Sequence, residues 1–343
     1  MKIWYTKGLS NTAHAIRLLR EGYGASISVM ASHTIPDAPI AQTADQFLIE
    51  PLDLAGYPEW VLETATALDV DLVIAQRRPD LFADFRDAFE SAGIRLQLPA
   101  DPKALRVIDR KDLFGMEMET IGLPCPDFEI FKTLEEFDQA SSMMLEDGLA
   151  PDGFCVKPAR GIFGSGFRAL RDEGSDMQRL LANEFYEIST GRFRDMLAEA
   201  QMPEDMLLMR FLPGVERSVD FLCRDGEMMS GVSRVKHKTG QLLETEGYAL
   251  ELAGALARHF GLNGICNMQT RENADGEQSI LEVNPRMSGG MQISCLAGIN
   301  LPAWNVALAL DLRPDTEIPR GRNGLIVGVE ETPVIRGMAT AAE

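Results

Sequence analysis

The stretch ICNMQTRENADGEQSILEVNPRMSGG, Ile265 to Gly290, consists of two strand-like runs on either side of Asp275-Gly276. An Asp-Gly pair between such runs is a strong β-hairpin signal. Side chains alternate between the two faces of a strand, so the residues that oppose each other can be read off from the turn. Two polar pairs then face each other on one side of the hairpin: Gln269 with Glu282, and Asn267 with Asn284.

This face carries the oxygen donors that hard cations prefer. Glu282 supplies a carboxylate, and Gln269 and Asn284 supply amide oxygens. Mg²⁺, or Mn²⁺, binds such donors and completes its coordination with waters and phosphate oxygens. Arg286, just past Pro285, is within reach of a terminal phosphate. The alternative is the solvent face of an ordinary hairpin, but apolar residues on both runs leave no obvious solvated side: Cys266, Met268, Ile280, Leu281 and Val283.

A second stretch, KPARGIFGSGF (Lys157 to Phe167), has the lysine, arginine and glycines of a phosphate-binding loop. A Walker A loop ends in GK[ST], whereas here the lysine precedes the glycines. A dinucleotide fingerprint must open a helix, but FRAL runs directly into the turn signal RDEG. A glycine-rich hairpin over a triphosphate, with a lysine on the incoming strand, fits better and occurs in protein kinases and ATP-grasp enzymes. The kinase set HRD…DFG is absent, and an ordinary glycine-rich turn remains the alternative.

Composition limits the classes of function. The 343 residues suffice for two or three domains, and the net charge of −19 argues against nucleic-acid binding. No signal peptide or membrane-length apolar run is visible, so no membrane partner is expected. The five cysteines are scattered without a CxxC pair, which predicts a reduced, cytoplasmic protein with buried thiols and argues against a zinc site.

The first hundred residues alternate strand-like and helical runs, from KIWYT and NTAHAIRLLREG to DLVIAQ and PDLFADFRDAFESAG. Such alternation predicts a parallel sheet with helical crossovers, an α/β unit. TKGLSN after the first strand has one glycine and is interpreted as a plain strand–helix turn. LPADPKALRVIDRKD carries two prolines and a charge run, which predicts a linker. The segment from about Leu207 is rich in strands, and the tail beyond Pro319 is expected to be irregular.

Together these motifs resemble the ATP-grasp superfamily, in particular its carbamoyl-phosphate-synthase-like and biotin-carboxylase-like branch, and the resemblance extends over nearly the whole chain. A further resemblance is to the ATP-grasp branch associated with bacterial tellurite-resistance gene clusters. The implied fold is α/β and α+β, an ATP-grasp fold preceded by a Rossmann-like domain. The implied boundaries are a Rossmann-like domain (1–100), a linker with a lead-in helix (101–125), a small lid subdomain (126–206) and a large subdomain with the metal strands (207–343).

The resemblance also implies roles for individual residues, with ATP and Mg²⁺ (or Mn²⁺) as cofactors. Lys111 in IDRKDLFGMEMETIGLPCP and Lys157 contact phosphates, the loop Gly161–Gly166 closes over the triphosphate, Glu216 binds the ribose, and Arg286 lies at the γ-phosphate. The implied catalytic residues are Arg286 and Lys157, and the implied metal ligands are Gln269, Glu282 and Asn284. The implied nucleotide contacts are Lys111, Lys157, Arg160, Gly161, Gly164, Ser165, Gly166, Arg210, Phe211, Leu212 and Glu216.

Three points stay open at this stage. Arg160 is assigned either to ATP or to the acid substrate. Arg210 in MRFLPGVERSVDFL stands where relatives often carry Glu, which leaves the base preference open although backbone groups usually hold adenine. In SRVKHKTGQ, Arg234 and Lys236 share a strand face and are expected to hold a phosphate or the substrate carboxylate.

The family reaction implied by the resemblance activates a substrate carboxylate as an acyl phosphate and joins it to an amine or another nucleophile, releasing ADP and phosphate. The expected partners are ATP, a small carboxylate and an amine acceptor, with a homodimer among the implied assemblies. Two alternatives are a bicarbonate-using carboxylase or carbamoyl-phosphate-forming enzyme, and a non-catalytic ATP-binding subunit. The acid and the acceptor are not identified by the sequence.

Overall fold

The computed structural model describes residues 1–161, 164–182, 184–199 and 204–330. The described backbone forms sixteen strands in three sheets, together with eleven α-helices. The helices are α1 (Thr12–Tyr23), α2 (Tyr57–Ala67), α3 (Arg86–Ser91), α4 (Pro102–Ile108), α5 (Lys111–Ile121), α6 (Leu134–Glu146), α7 (Asp176–Ala182), α8 (Thr190–Glu199), α9 (Tyr248–Phe260), α10 (Met291–Ser294) and α11 (Leu301–Ala309).

The first sheet is parallel, with the strand order β3-β2-β1-β4-β5. Its strands are β1 (Lys2–Tyr5), β2 (Ser28–His33), β3 (Gln46–Ile49), β4 (Leu72–Ile74) and β5 (Arg95–Gln97). The predicted parallel sheet is therefore confirmed. The sequence analysis missed the edge strands β3 and β5 because they are short and only partly buried, so their apolar patterns are weak.

The second sheet has the strand order β6-β10-β7-β8-β9. Its strands are β6 (Phe128–Phe131), β7 (Phe154–Pro158), β8 (Arg168–Leu170), β9 (Glu187–Ile188) and β10 (Met206–Arg210). β7 pairs antiparallel with β8, so the glycine-rich stretch connects a hairpin as predicted and does not open a helix. Helix α6 packs beside this sheet and begins with a capping box, in which Thr133 and Glu136 satisfy each other's backbone N–H groups.

The third sheet has the strand order β15-β14-β11-β12-β13-β16, and its pairings are antiparallel. Its strands are β11 (Glu216–Arg224), β12 (Glu227–His237), β13 (Gly240–Glu244), β14 (Gly264–Glu272), β15 (Gln278–Asn284) and β16 (Leu325–Val327). The apolar helix α9 packs against β11 and β12, which buries one face of the sheet. The opposite face is apolar at one end, where Leu222 and Ile265 lie, and carries polar side chains of the site along the rest.

Two segments differ from the sequence-based expectation. The predicted linker forms helix α4, because the Asp101 carboxylate caps it by accepting from the N–H groups of Lys103 and Ala104 at 2.7 and 2.8 Å, and Pro102 occupies the first turn. The tail beyond Pro319, expected to be irregular, contains β16. It pairs with Gln241–Leu243 of β13, next to Gly240, whose φ of +155° and lack of a Cβ let the Val327 carbonyl approach.

One apolar core joins the first and third sheets. Tyr5 and Leu72 from the parallel sheet belong to the same buried cluster as Leu222, Ile265 and Trp304. Polar contacts reinforce this joint, because the amide groups of Gln97 and Asn305 exchange two hydrogen bonds of 3.0 and 2.8 Å. The parallel sheet is therefore packed directly against the strands that carry the site.

Two further observations concern the cysteines and the apolarity of the helices. All five cysteines are free thiols, four of them buried and Cys125 partly exposed. In the described part of the chain no helix combines the length and apolarity needed to span a membrane.

Candidate active site

The β14–β15 hairpin brings the predicted metal ligands together. Gln269 pairs with Glu282 and Asn267 pairs with Asn284, so the predicted register is confirmed at this end of the hairpin. The Asn284 amide donates to Glu282 Oε1 at 2.9 Å. Arg286 donates through Nη2 to Asn284 Oδ1, also at 2.9 Å. These two hydrogen bonds hold the carboxylate, the amide and the guanidinium in contact.

The turn of this hairpin differs from the prediction. Asn273 N–H donates to the Glu277 carbonyl at 2.9 Å, so the loop contains three residues instead of two. A register shift between Gln269 and Thr270 compensates for the extra residue. Because of this bulge, the pairs farther from the turn, Gln269 with Glu282 and Asn267 with Asn284, are the same as a two-residue turn would give.

The donor set fits a hard cation with few protein ligands. Among the described residues no group of three or more His, Cys, Asp or Glu side chains forms a metal cluster. Glu282 is the carboxylate of the set. Gln269 lies opposite it on β14, Asn284 lies beside it on β15, and both offer neutral amide oxygens. Such oxygen donors suit Mg²⁺, which binds through one or two carboxylates and takes its remaining ligands from water and phosphate.

A cleft of about 260 Å³ lies on the same sheet face. Its lining comes from four strands and from the loop that follows the metal strand: Glu216, Ser218, Arg234, Lys236, Gln241, Gln269, Ser288, Gly289 and Gly290. Four residues that the sequence analysis singled out therefore meet in one cleft, namely Glu216, Arg234, Lys236 and Gln269. The Ser288–Gly290 loop forms part of the wall.

Arg234 and Lys236 have different surroundings despite sharing a strand face. The Arg234 side chain is 9% exposed and its Nε donates to Asp220 Oδ2 at 3.0 Å, while Asp220 itself is fully buried. Its other contacts are hydrogen bonds of 2.9 to 3.2 Å to Ser218, Gln241, Ser288 and Ser294. Lys236 is exposed. The accessible cation of the pair is therefore Lys236, and Arg234 holds the wall of the cleft in place.

The loop after the metal strand is fixed from two sides. Gly290 approaches Arg234 so closely that an added Cβ would lie 2.3 Å from Nη1, and a larger residue would displace the guanidinium. On the other side, the buried Asn11 amide donates to the carbonyls of Met287 and Ser288 at 2.9 and 2.7 Å. Asn11 belongs to the first β–α turn of the parallel sheet, so the two sheets jointly position this loop.

The two predicted phosphate lysines converge near the metal face. Lys157 lies on β7, and burial lowers its pKa, with Lys111 among the nearby charges that also lower it and Glu282 among those that oppose the effect. Lys111 begins helix α5, and its ammonium donates to the Gly161 carbonyl. Burial likewise lowers the pKa of Arg286, while Glu282 opposes that shift. Lys157 and Arg286 thus both lie within electrostatic range of Glu282, and Lys111 lies within range of Lys157.

The predicted closing loop is only partly described. Arg160, Gly161, Gly164, Ser165 and Gly166 are exposed, whereas Ile162 and Phe163 lie outside the described residues. The assignment of this loop as a lid over the triphosphate therefore stays a prediction, as does the role of Arg160.

The hinge residues connect the second sheet to the third. The Arg210 and Phe211 N–H groups donate to the carbonyls of Asp127 and Gly153, each at 2.9 Å. Phe211 is covered by two guanidinium groups, with Cζ of Arg171 at 3.9 Å and Cζ of Arg271 at 5.8 Å from the ring centroid. Arg271 also donates to Glu216 Oε2 at 3.3 Å. The sequence analysis missed Arg171 and Arg271, although Arg271 could have been found because it follows Gln269 by two positions on the same strand.

Comparison with known proteins agrees with this architecture. An N5-carboxyaminoimidazole ribonucleotide synthetase, solved as an ADP complex, superposes with a TM-score of 0.65 at 16% identity, covering 95% of this chain and 79% of that chain. An L-amino acid ligase from Bacillus licheniformis superposes with a TM-score of 0.60 at 16% identity, covering 93% of this chain and 77% of that chain. At such identities the likeness establishes the fold, which is the ATP-grasp fold with a preceding parallel-sheet unit, as predicted.

The chain therefore has the ATP-grasp fold. Residues 202–333 match the family model described as "ATP-grasp in the biosynthetic pathway with Ter operon", in line with the second resemblance noted from the sequence. The carbamoyl phosphate synthase large chain of Gemmatimonas aurantiaca is 24% identical over 341 residues, covering 89% of this chain. This chain spans 28% of the length of that relative.

Proposed function

We propose that the protein is an ATP-dependent ligase that activates a small carboxylate as an acyl phosphate and joins it to an amine or another nucleophile. The observation that carries the proposal is the placement of Glu282, Gln269 and Asn284 on one sheet face, in contact with Arg286 and within electrostatic range of Lys157. The reaction joins anionic reactants, and such a cluster of cations opposes their repulsion. The similarity to ligases of the ATP-grasp fold supports the same reaction class.

In the first step, which forms the acyl phosphate, each group of residues has its own role. Lys111 and Lys157 would bind phosphate oxygens of ATP, and Arg286 would bind the γ-phosphate. A Mg²⁺ or Mn²⁺ ion held by Glu282, Gln269 and Asn284 would supply further charge neutralisation. A carboxylate oxygen of the substrate attacks the γ-phosphorus, the bond to the β,γ-bridging oxygen breaks, and ADP leaves with that electron pair.

The second step requires little covalent chemistry from the protein. The lone pair of the nucleophile attacks the acyl carbon, the bond to the phosphate oxygen breaks, and inorganic phosphate leaves while the nucleophile loses a proton. Lys236 is the exposed cation of the cleft and is the better candidate for holding the substrate carboxylate, because Arg234 is engaged by Asp220 and its neighbours. Closure of the Gly161–Gly166 segment would exclude water that hydrolyses the acyl phosphate.

A screen for ADP release tests the proposal. Purified protein with MgATP is exposed to pools of amino acids, small carboxylates, amines and thiols, and Glu282→Ala protein serves as the blank. We expect ADP release that depends on one acid and one nucleophile, with a product mass equal to their sum minus water. Release that is undiminished in metal-free Glu282→Ala protein would refute the ligase. Tight ATP binding without turnover across all pools would instead favour a non-catalytic ATP-binding subunit.

A second candidate is a bicarbonate-using enzyme that forms carboxyphosphate or carbamoyl phosphate. The similarity to a carbamoyl phosphate synthase large chain over 89% of this chain favours including it. Bicarbonate-stimulated ADP release in the absence of any other acid would distinguish it from the ligase. A homodimer and a cytoplasmic location stay predictions.

Nucleotide binding should weaken at alkaline pH because of Lys157. Burial lowers the pKa of Lys157, so its ammonium loses its proton over a range below the usual lysine pKa of about 10.4. The neutral amine no longer attracts phosphate, and the dissociation constant of MgADP should rise by up to about tenfold per pH unit in that range. Calorimetric titration at several pH values measures this.

The Lys157→Met variant is the control for this profile. It should bind MgADP more weakly than the wild type and without the alkaline dependence, because the titrating group is absent. An equal alkaline slope in both proteins would show that another group controls binding.

A further inference from the structure

The path of a bound nucleotide follows from the proposed function, on which this inference rests. The metal face at Gln269 would hold the phosphates, Glu216 would hold the ribose, and the hinge at Phe211 and Leu212 would border the base. Arg271 lies between these points, because it follows Gln269 on β14 and its register partner on β11 is Glu216. The β11–β14 ladder is regular from Ser218 to Glu216, so Arg271 lies on the same face as Gln269.

The contacts of Arg271 place its guanidinium at the base end of this path. Nη1 donates to Glu216 Oε2 at 3.3 Å, and Cζ lies 5.8 Å from the centroid of the Phe211 ring. Its Nε is buried and makes no hydrogen bond to the described residues. The side chain as a whole is 31% exposed, so part of it is accessible to solvent. A planar, partly accessible cation beside an aromatic ring is suited to a flat heteroaromatic guest.

We propose that Arg271 is a base-recognition residue whose guanidinium forms one wall of the nucleobase pocket and stacks on the purine ring. The ring of the nucleotide takes the place beside the guanidinium, and Glu216 exchanges its contact with Arg271 for the ribose hydroxyls. The exchange costs little, because both partners of this ion pair are about one-third exposed, at 31% and 36%, and such pairs contribute little to stability.

The chemistry of the guanidinium separates this role from a purely electrostatic one. An arginine stacks flat on an aromatic system and keeps its hydrogen bonds in the same plane, whereas a lysine provides a compact point charge. If Arg271 acted only through its charge on Glu216 or on the phosphates, lysine would replace it. If Arg271 stacks on the base, a lysine at this position keeps the charge but does not restore nucleotide affinity.

The experiment compares two probes in wild-type and Arg271→Lys protein by calorimetric titration. The probes are MgADP, which has a base, and magnesium tripolyphosphate, which has none. We expect the dissociation constant of MgADP to rise by about tenfold in Arg271→Lys, the size of a stacked cation–π contact, while that of tripolyphosphate stays within about twofold of the wild type. Arg271→Met, which also lacks the charge, should weaken MgADP at least as much.

Arg258→Lys is the matched control, since Arg258 lies on α9 with a largely exposed side chain that is 3.8 Å from Glu227. It should bind both probes as the wild type does, and thermal unfolding should confirm that all variants are folded. Unchanged MgADP affinity in Arg271→Lys, or an equal loss for both probes, would overturn the proposal while leaving the proposed function intact. A wild-type protein that binds neither probe would overturn the proposed function and this inference together.

Discussion

Replacing Glu282 with glutamine is expected to reduce substrate-dependent ADP release by about a thousandfold. Glu282 is the carboxylate of the oxygen donor set, and its partners Gln269 and Asn284 offer only neutral amides. Glutamine has nearly the same shape and can still accept from the Asn284 amide. The variant therefore removes the charge of the site with little change in packing, and the lost activity measures the contribution of that charge.

A measurement of ADP binding tests the same role of Glu282 and does not require that the substrates be known. In the wild type, Mg²⁺ should strengthen ADP binding, and in Glu282→Gln this gain should largely disappear. Glu227→Gln is the control, because Glu227 lies on the same sheet and its side chain is 61% exposed. ADP release in Glu282→Gln within tenfold of the wild type would contradict a metal site at this position.

Arg234→Met is expected to lower the free energy of unfolding by about 3–5 kcal/mol. Asp220 is fully buried, and its carboxylate accepts from Arg234, from Ser294 and from Asn267. Methionine fills much of the same volume but leaves Asp220 without its buried counter-charge. The hydrogen bonds to Ser218 and Ser288 are lost as well, which loosens the wall of the cleft.

Lys236→Met on the same strand is the matched comparison. The Lys236 side chain is exposed, so its loss should change the unfolding free energy by less than about 0.5 kcal/mol. It should instead raise the KM for the carboxylate substrate. Urea unfolding of the two variants measures the contrast, and an Arg234→Met protein as stable as the wild type would rule out the supporting role of the network.

The face that carries Gln269, Glu282 and Asn284 was predictable in part, because it depends mainly on local rules of strand pairing. Alternation and a recognisable turn predict Gln269 opposite Glu282, which is the pairing observed. The correct register nevertheless rested on two deviations that cancel, the longer loop and the bulge after Gln269. A bulge has no fixed sequence signature, so this agreement could not have been foreseen from the residues alone.

Other features depend on contacts between distant segments. The expectation that Arg234 holds a ligand follows from its charge and its strand face, but its real partners include Ser288 and Ser294, which are more than fifty positions away. The helix α4 was misinterpreted as a linker because its proline and aspartate occur in both linkers and helix starts. Arg271 was passed over because strand β14 was searched for oxygen donors and not for cations.

The hydrogen bonds from Asn11 to the carbonyls of Met287 and Ser288 have a consequence for exchanging parts between relatives. The residues that these contacts join are separated by 276 and 277 positions in the chain. A chimaera that takes its parallel sheet from another ATP-grasp protein would therefore also change the support of the loop behind the metal strand. Such hybrids should keep an asparagine at this position, because otherwise two buried carbonyls lose their shortest hydrogen bonds at the border between the grafted and the resident halves.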